Sequence, residues 1–563
     1  MNRSLVIVEV TMEIAYSQEI LDKIAALHGA DMARACAMSN SVGGIGPLLK
    51  ERIPAQAALG HEVIGVSLLY DYVWTQGFHQ WGQIFIEKKN VGQRLRKVLE
   101  PAGFEISLNL PNGSISQINV WKTTSGGSGG AVVYYLDQPE IANVIYPGPE
   151  DAPKETSDAN AWVENQKILQ SWLVGRGALA LLMKLNKKPD VIVQSETPTL
   201  FANSGLVVDS FQKDPLFRDV LYIFNDHTPL EYAHPIWNEA QAQKAKMDIQ
   251  VSGSVDITRL LIERSHRTYG VSKKHESVMK AMPSLKGLEN KITSVTNGVS
   301  VSNWRSPDFL NHAAMTDEEL IRAKESQKTE LIRWIYKRYR LWANWPAVVK
   351  GKCLVNWTRR VTGYKRFDVL EQLLTNPELK KRFLATESVI LMGGRIHQND
   401  NLSQNTMFNI LDIVTRDKEL QDQVLVLDNY NIWEAARIFH GVDASIMLAD
   451  DGKEASATGF MKAQMNGAAV IAVMDGAVPE SVHFFRSDKR KSSEGGENGF
   501  LVPYSDGKIL PENLLKALEE LHQVYIDPSL RAGVIRSAFA VEPQVSIDRT
   551  AKEMIELYLH ALS

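Results

Sequence analysis

Short, nearly uninterrupted apolar runs punctuate this chain at intervals that leave room for a helix between them. They stand at Ser4–Val10 (SLVIVEV), in HEVIGVSLLYDY from His61, at Pro189–Gln194 (PDVIVQ) and at Leu221–Phe224. Further runs begin at Leu354–Val355 and occupy Ser388–Gly394 (SVILMGG), Val424–Tyr430 (VLVLDNY) and AAVIAV after Gly467. Runs of this length without polar alternation predict parallel strands buried on both faces. Between them the apolar positions fall at helical spacing. Helices are predicted over Ser17–Met38, from about Pro47, over Ala159–Leu185 and Ile432–Phe439, and from about Phe460, with Ile257–Ser265 a helix or a buried segment. Thr316-Asp-Glu-Glu319 has the form of a capping box and opens a helix reaching to about Trp342. Its apolar positions are Leu320, Ala323, Leu331, Trp334, Ile335 and Leu341, and its many Lys and Arg read as a solvated face. A last amphipathic helix, Arg549–Leu562, carries Ala551, Met554, Ile555, Tyr558, Leu559 and Leu562.

One region departs from this rhythm. Residues 75–160 hold WGQIFIE, FEISLNL, ISQINVW and AVVYYLD, with period-two alternation clear in Phe104–Leu110. Ser125–Gly130 (SGGSGG) reads as a hairpin tip or short loop. The pattern as a whole is α/β, in two half-chains of alternating strands and helices joined near residue 298. The domains expected are 1–298, 299–545 and a C-terminal helix, 546–563, packing back on the first.

A chain of 563 residues is too long for one core, which agrees with that division. With 44% hydrophobic and 23% charged residues, no disordered or fibrous class is indicated. The net charge of −4 argues against a nucleic-acid surface. Two distant cysteines, Cys36 and Cys353, make a disulfide framework unexpected. The N-terminus lacks the form of a signal peptide and no run is read as membrane-spanning, so a cytoplasmic protein is expected.

The candidate chemistry collects at strand ends. Asp450–Asn466 (DDGKEASATGFMKAQMN) reads as a small-residue loop running into a helix. Ser456, Ala457, Thr458 and Gly459 present backbone N–H groups at a helix start, the makings of an anion site. One turn on, Lys462 stands among Met461, Ala463 and Met465. A phosphate cradle with an apolar lysine fits pyridoxal phosphate attached at Lys462; an ordinary loop with a snorkelling lysine is the other reading. Arg359, Arg360, Lys365 and Arg366 fall within eight residues after a strand, enough cation for two phosphates or merely a solvated charge run. Ser41–Gly46 (SVGGIG) precedes a helix, and its glycines let an anion approach the backbone. Glu13 and His227 each follow a strand end, where open α/β sheets collect ligands. His227 is either a sugar-hydroxyl partner or a satisfied structural histidine.

These stretches also resemble a known family. EAS-A-T-G-F-M-K-A-Q-M-N is similar to the cofactor-attachment signature of the glycogen/α-glucan phosphorylases, with Ala457 where the family has glycine. In order along the chain, VTMEI, GGIG, FNDHTPLEYAH, SHRTYGVSKKHESVM, KITSVTNGV, NWTRRVTGYKR, MDGAVPE and ENGFL are similar to further motifs of that family. The resemblance implies a GT-B fold, two facing doubly wound, Rossmann-like domains with the ligand in a cleft between them. It implies retaining phosphorolysis of an α-1,4-glucan by inorganic phosphate to glucose 1-phosphate, with the 5′-phosphate of pyridoxal phosphate as acid/base partner. Carried over residue by residue, Lys462 binds the cofactor. Arg359 and Thr458 hold its phosphate, and Trp304 and Tyr430 line it. Arg360, Lys365 and the Gly43, Gly44, Ile45 loop hold the substrate phosphate. His227, Asn297, Glu454, Ser456 and the Ala457 N–H hold the sugar. No metal is implied, and the expected partners are a glucan or maltooligosaccharide and phosphate, with no nucleic acid and no membrane; a homodimer is admitted. The first core strand begins at residue 4, so the regulatory N-terminal extension and the storage-site insertions of some members are expected to be missing.

Four positions depart from the family: Ala457, Thr362-Gly363 in place of His-Glu, Asn431 in place of arginine, and Thr197 or Pro198 in place of a histidine. They keep three alternatives open: a GT-B phosphorylase with another glycosyl substrate, a nucleotide-sugar glycosyltransferase, and a non-catalytic carbohydrate-binding descendant.

Overall fold

The computed structural model describes residues 4–78, 84–124, 130–247, 253–339, 341, 343–485 and 496–563. Most of the Ser125–Gly130 tip, the start of WGQIFIE and the helix end read at Trp342 lie outside the described residues. The chain forms two compact units. One comprises Met1–Val73, Lys88–Thr296 and Thr550–Ser563; the other comprises Trp74–Glu87 and Asn297–Arg549.

The first unit is built on a nine-stranded sheet. Seven strands run parallel in the spatial order Ile292–Ser294, Arg267–Gly270, Leu221–Asn225, Val191–Ser195, Val6–Val10, Glu62–Leu68 and Ala131–Asp137. Ile115–Thr124 and Glu100–Asn109 then extend the edge antiparallel. The alternation read at Phe104–Leu110 belongs to this last pair, where one face is open. The central strands are apolar throughout because helices cover both faces. One of these, Ala159–Leu185, is long and apolar enough to cross a membrane, against the sequence expectation that no run would be. Its most apolar window is 78% buried inside the protein, the signature of a core helix. The predicted helix Ser17–Met38 is two, Gln18–His28 and Ala30–Ser39, because Gly29 takes φ 85° between them.

The second unit holds a six-stranded, all-parallel sheet. Its order is Val424–Leu427, Ser388–Gly393, Cys353–Thr358, Ala444–Met447, Ala469–Ala472, Gly499–Leu501. The capping box forms: Thr316 Oγ1 accepts from the Glu319 amide and the Glu319 carboxylate accepts from the Thr316 amide. The helix it opens, Asp317–Tyr339, corrects the reading of its cations as wholly solvated. Lys324 and Lys328 are buried. Lys324 donates to the carbonyls of Val442 and Asn466, and Lys328 pairs with Asp443 at 2.9 Å.

Asn297-Gly298 makes no turn here. The Val299 amide donates to Val545 O and the Ile547 amide to Val299 O. A Cβ on Gly298 would stand 2.2 Å from Ser546 O, so the glycine serves close approach rather than a bend. The C-terminal helix, Ile547–Leu562, starts beside this crossing, and its residues from Thr550 belong to the first unit. There Ala551, Met554 and Tyr558 are fully buried.

Candidate functional site

The strand Ala444–Met447 delivers the chain into the segment that carries Lys462. Asp475, after the neighbouring strand, accepts from the amides of Gly452 and Glu454 and so fixes the bend of that segment. Burial pushes the Asp475 carboxyl up to about 6. The helix spans Thr458–Gln464, starting two residues before the expected Phe460. The reason is Ala457, which takes φ 69° and ψ 61° as the residue before the first turn. That left-handed conformation is one glycine adopts freely and alanine does not.

Lys462 is 8% exposed, and its ammonium lies over the Trp304 ring, 4.1 Å from the centroid. Trp304 is buried at the end of the turn Val301–Trp304 and meets Phe439 edge-on. An ammonium on an aromatic face keeps an attractive partner while losing water. Ser456 Oγ is buried and has no hydrogen-bond partner among the described residues. A buried lysine on an apolar turn, its ammonium facing an aromatic ring, is the amine that a phosphorylated aldehyde such as pyridoxal phosphate would join, so the residues present fit that group.

The cations of the strand end Cys353–Thr358 divide into two sets. Arg359 pairs with the Glu454 carboxylate and also donates to Leu448 O. Lys365 Nζ stands 3.5 Å from the same Glu454 oxygen. Burial, then the nearby Arg359 charge, pulls the Lys365 ammonium down to about 7. The same cations hold the buried Glu454 carboxyl below its ordinary range. Arg360 is half-buried beside them. Arg366 turns away to Asp368 and Asp450, so only part of the run belongs to this cluster. Tyr430 follows the strand Val424–Leu427; burial pushes its hydroxyl up to about 12. Asn431, where the family has arginine, caps the helix Ile432–Gly441 by accepting from Trp433 and Glu434 amides.

Sequence reasoning missed one contribution to this unit. Gln76 donates to Gly394 O at 2.6 Å and accepts from the Ile396 amide, while Asn429 Oδ1 accepts from the Gln76 amide. The strand Tyr72–Phe78 thus buttresses the loop after Gly393 from a distant part of the chain. No local pattern announces such a pairing.

In the first unit, Gly43 and Gly44 precede the helix Ile45–Ala58. A Cβ at either position would meet nothing within 4 Å, so packing does not demand glycine; the space is open to a ligand. Glu13 is buried and accepts from the Val42 amide, which ties its strand end to this loop. His227 follows the strand Leu221–Asn225, and its Nε2 is buried with no hydrogen-bond partner among the described residues. Burial, then the charges of Arg52 and His275, keeps its imidazole neutral well below the usual range. Thr197, which with Pro198 stands where the family has a histidine, donates to Ala233 O. Asn297, in the second unit, is buried, and its carbonyl accepts from Arg549.

Residues 307–484 match the family model for carbohydrate phosphorylases. The chain is 23% identical to the maltodextrin phosphorylase of Thermococcus litoralis, over 92% of this chain and 68% of that protein. It is 23% identical to the glycogen phosphorylase of Aquifex aeolicus, over 77% of this chain and 71% of that one. Among solved structures it is similar to the catalytic domain of starch synthase IV from Arabidopsis thaliana bound to ADP and acarbose, with TM-score 0.70 and 17% identity over the whole of both chains. That likeness shows the fold, a GT-B arrangement of two Rossmann-like units.

Proposed function

We propose that this chain, whose second unit carries a carbohydrate phosphorylase segment, is a pyridoxal-phosphate-dependent α-glucan phosphorylase that releases glucose 1-phosphate with retention. The observation that carries the reading is the segment Glu454–Lys462. It sets a buried lysine against Trp304 at one end and a carboxylate between Arg359 and Lys365 at the other. A nucleotide-sugar transferase of the same fold has no use for the first of these.

Lys462 would hold the cofactor, with Trp304 and Tyr430 lining it and Arg359 and Thr458 on its phosphate. When bound, pyridoxal phosphate supplies a phosphate group able to give and take a proton beside the substrate phosphate. Arg360 and Lys365 bind inorganic phosphate. Lys365 titrates near neutrality in the unliganded protein, so an arriving dianion raises its charge where it is needed. Bringing two phosphates together requires this concentration of cation. In the first unit, Gly43, Gly44 and Ile45 present a helix-start loop with open space beside the glycines, suited to an anion. Neutral His227 offers Nε2 to a sugar hydroxyl in the first unit; in the second, Ser456 and the Ala457 N–H are donors suited to a sugar. No paired carboxylates of the glycosidase kind are needed when phosphate delivers the proton. Two buried free thiols fit a reducing, cytoplasmic setting for an enzyme acting on glycogen-type glucans or maltodextrins, and a homodimer is the assembly to look for.

The test is spectroscopic and then chemical. Purified protein should carry the near-ultraviolet absorbance of lysine-bound pyridoxal phosphate, and Lys462→Ala should lose it. Maltodextrin plus phosphate should then yield glucose 1-phosphate. A colourless protein with full activity, or a coloured one that releases no sugar phosphate from any glucan, would defeat the reading.

A further inference from the structure

Two adjacent strands of the first unit, Val191–Ser195 and Leu221–Asn225, end side by side, with Ser195 opposite Asn225. The residue after the first is Glu196, whose amide donates to Asn225 O and extends the ladder by one bond. It then turns sharply, with φ 70° and ψ 160°. That region is essentially reserved for glycine, and a glutamate stays there only when its surroundings force it. Two bonds do so at its carbonyl, which accepts from the Thr199 amide and hydroxyl. The turn carries the side chain across to the end of the neighbouring strand. There one carboxylate oxygen, Oε1, accepts from the His227 amide at 3.1 Å and from Thr228 Oγ1 at 2.8 Å. The carboxyl is 7% exposed and Asp226 beside it is fully buried. So a strained, buried acid grips the backbone of the histidine whose Nε2 lacks a partner among the described residues.

We propose that Glu196 is the positioning residue of His227: its carboxyl fixes the segment that aims the imidazole at its ligand, and it is retained in a strained conformation for that purpose. The identification of the ligand as a glucan sugar rests on the phosphorylase reading; the positioning itself does not. Glu196 touches no reacting atom. It acts through the His227–Thr228 backbone.

The charged and titratable groups around the pair come from four elements. Asp226 Oδ1 accepts from the Thr228 amide. His234 Nε2 lies 3.8 Å and His275 Nε2 3.7 Å from Asp226 Oδ2. His234 also clasps the segment by contacting Thr228 O and Thr258 Oγ1, each at 2.8 Å. Arg52 contributes its charge to His227 but is spent on Glu9, Asn225 and Ser195. Among the described residues no group of three or more His, Cys, Asp or Glu is placed to hold a metal, so the cluster is a hydrogen-bonding one. Burial raises both acids above the ordinary carboxylate range, so the pair retains a proton near neutrality. The grip on His227 then depends on pH through Glu196 and Asp226 together.

The experiment compares Glu196→Gly, Glu196→Gln and wild type as holoenzyme. Glycine accepts φ 70° without strain but removes both bonds, so Glu196→Gly should melt no lower than wild type. Its KM for maltoheptaose should rise about tenfold, as for loss of hydrogen bonds to one anchoring group, with its KM for inorganic phosphate unchanged. Glutamine keeps an acceptor oxygen and mimics the protonated acid. Glu196→Gln should restore KM. In histidine-labelled protein the His227 ring resonance should shift in Glu196→Gly and return in Glu196→Gln, whatever the substrate is. A His227 resonance and a KM unmoved in Glu196→Gly would overturn the proposal, as would a fall in melting temperature with unchanged kinetics. A shifted resonance in a protein with no phosphorolytic activity would defeat the phosphorylase reading and leave the positioning role standing.

Discussion

The Lys462 ammonium rests 4.1 Å from the centroid of Trp304, and Trp304 in turn stands edge-on against Phe439. The lysine, the indole and the phenyl ring belong to three different elements of the second unit, so the contact joins them. Trp304→Ala opens a cavity at a buried site and should cost about 3–5 kcal/mol in urea unfolding of the cofactor-free protein. Trp304→Phe keeps an aromatic face and should recover most of that loss. If both variants unfold together with wild type, the ring does not support the helix that carries Lys462.

Ala457 spends its φ of 69° in the left-handed region, where a Cβ costs roughly 1–2 kcal/mol. Glycine removes that cost but gains freedom in the unfolded chain worth about 0.5–1 kcal/mol. Ala457→Gly should therefore raise stability by up to about 1 kcal/mol, measured by chemical denaturation. Ala457→Val, β-branched in the same conformation, should lower it by more than Ala457→Gly raises it. A destabilised glycine variant would mean that the loop is held in place by something other than its backbone.

Glu454 sits between Arg359 and Lys365 in the unliganded protein, where it is an internal anion competing with any external one. Glu454→Gln should bind inorganic phosphate several-fold more tightly in the absence of sugar, read by calorimetry. The same cluster sets a pH dependence. Lys365 is depressed to about 7, so it is largely neutral above that value and charged below it. Phosphate affinity should fall as pH rises above about 7, and Lys365→Met should remove the slope while weakening binding at all pH values. For stability the sign is also fixed. A lysine whose folded value lies below its unfolded value of 10.5 opposes folding increasingly as pH falls from there to about 7. Lys365→Met should thus stabilise the protein, most at and below neutrality.

Lys328 makes a different kind of test. It is buried, pairs with Asp443 and donates to Lys352 O. Asp443 also pairs with Arg531 at 3.1 Å, so Lys328→Ala leaves the acid one cation short rather than unpaired and should cost less than the about 3–5 kcal/mol of a fully orphaned buried partner. The double variant Lys328→Met with Asp443→Leu should recover a large part of it. A double-variant loss equal to the sum of the two single losses would show that the pair contributes nothing beyond its separate residues.

Parts of this were legible in the chain and parts were not, for physical reasons. The buried parallel strands announce themselves because both faces are covered and no polar residue interrupts Val191–Val193 or Val389–Leu391. Lys462 stands out because its neighbours are apolar, and the structure does bury it. Lys324 and Lys328 could not be told from solvated lysines, since their burial depends on carbonyls and acids more than a hundred residues away, at Val442, Asp443 and Asn466. Glu196 was invisible for the same reason, being only a glutamate after a strand until the next strand's end is placed beside it. The Gln76 buttress is likewise a long-range pairing. Pattern reports burial along one element; it carries nothing about which distant backbone group waits opposite.

The Glu196–Asp226 pair gives the last prediction, on the stability of the first unit. Burial raises both carboxyls, so the folded state binds more protons than the unfolded one over the range between their ordinary and raised values. Their contribution is fully present below the ordinary carboxylate range and is lost as pH rises through neutrality. His227 and His275 work in the opposite sense. Burial lowers both, His275 to about 3, so their contribution is present above their ordinary value of 6.5 and is lost as pH falls. Below 6.5 the two effects oppose each other; above it only the acids are still titrating. Asp226→Asn keeps an acceptor for the Thr228 amide but removes one of the two acids. Relative to wild type it should therefore gain stability as pH rises from about 4 to about 7 and hold that gain above, and the two melting temperatures should converge below about 4. His275→Gln should alter the acid limb and leave the alkaline one alone. An Asp226→Asn melting curve that runs parallel to wild type between about pH 4 and 7 would mean that the Asp226 carboxyl is ionised over that range in the folded protein.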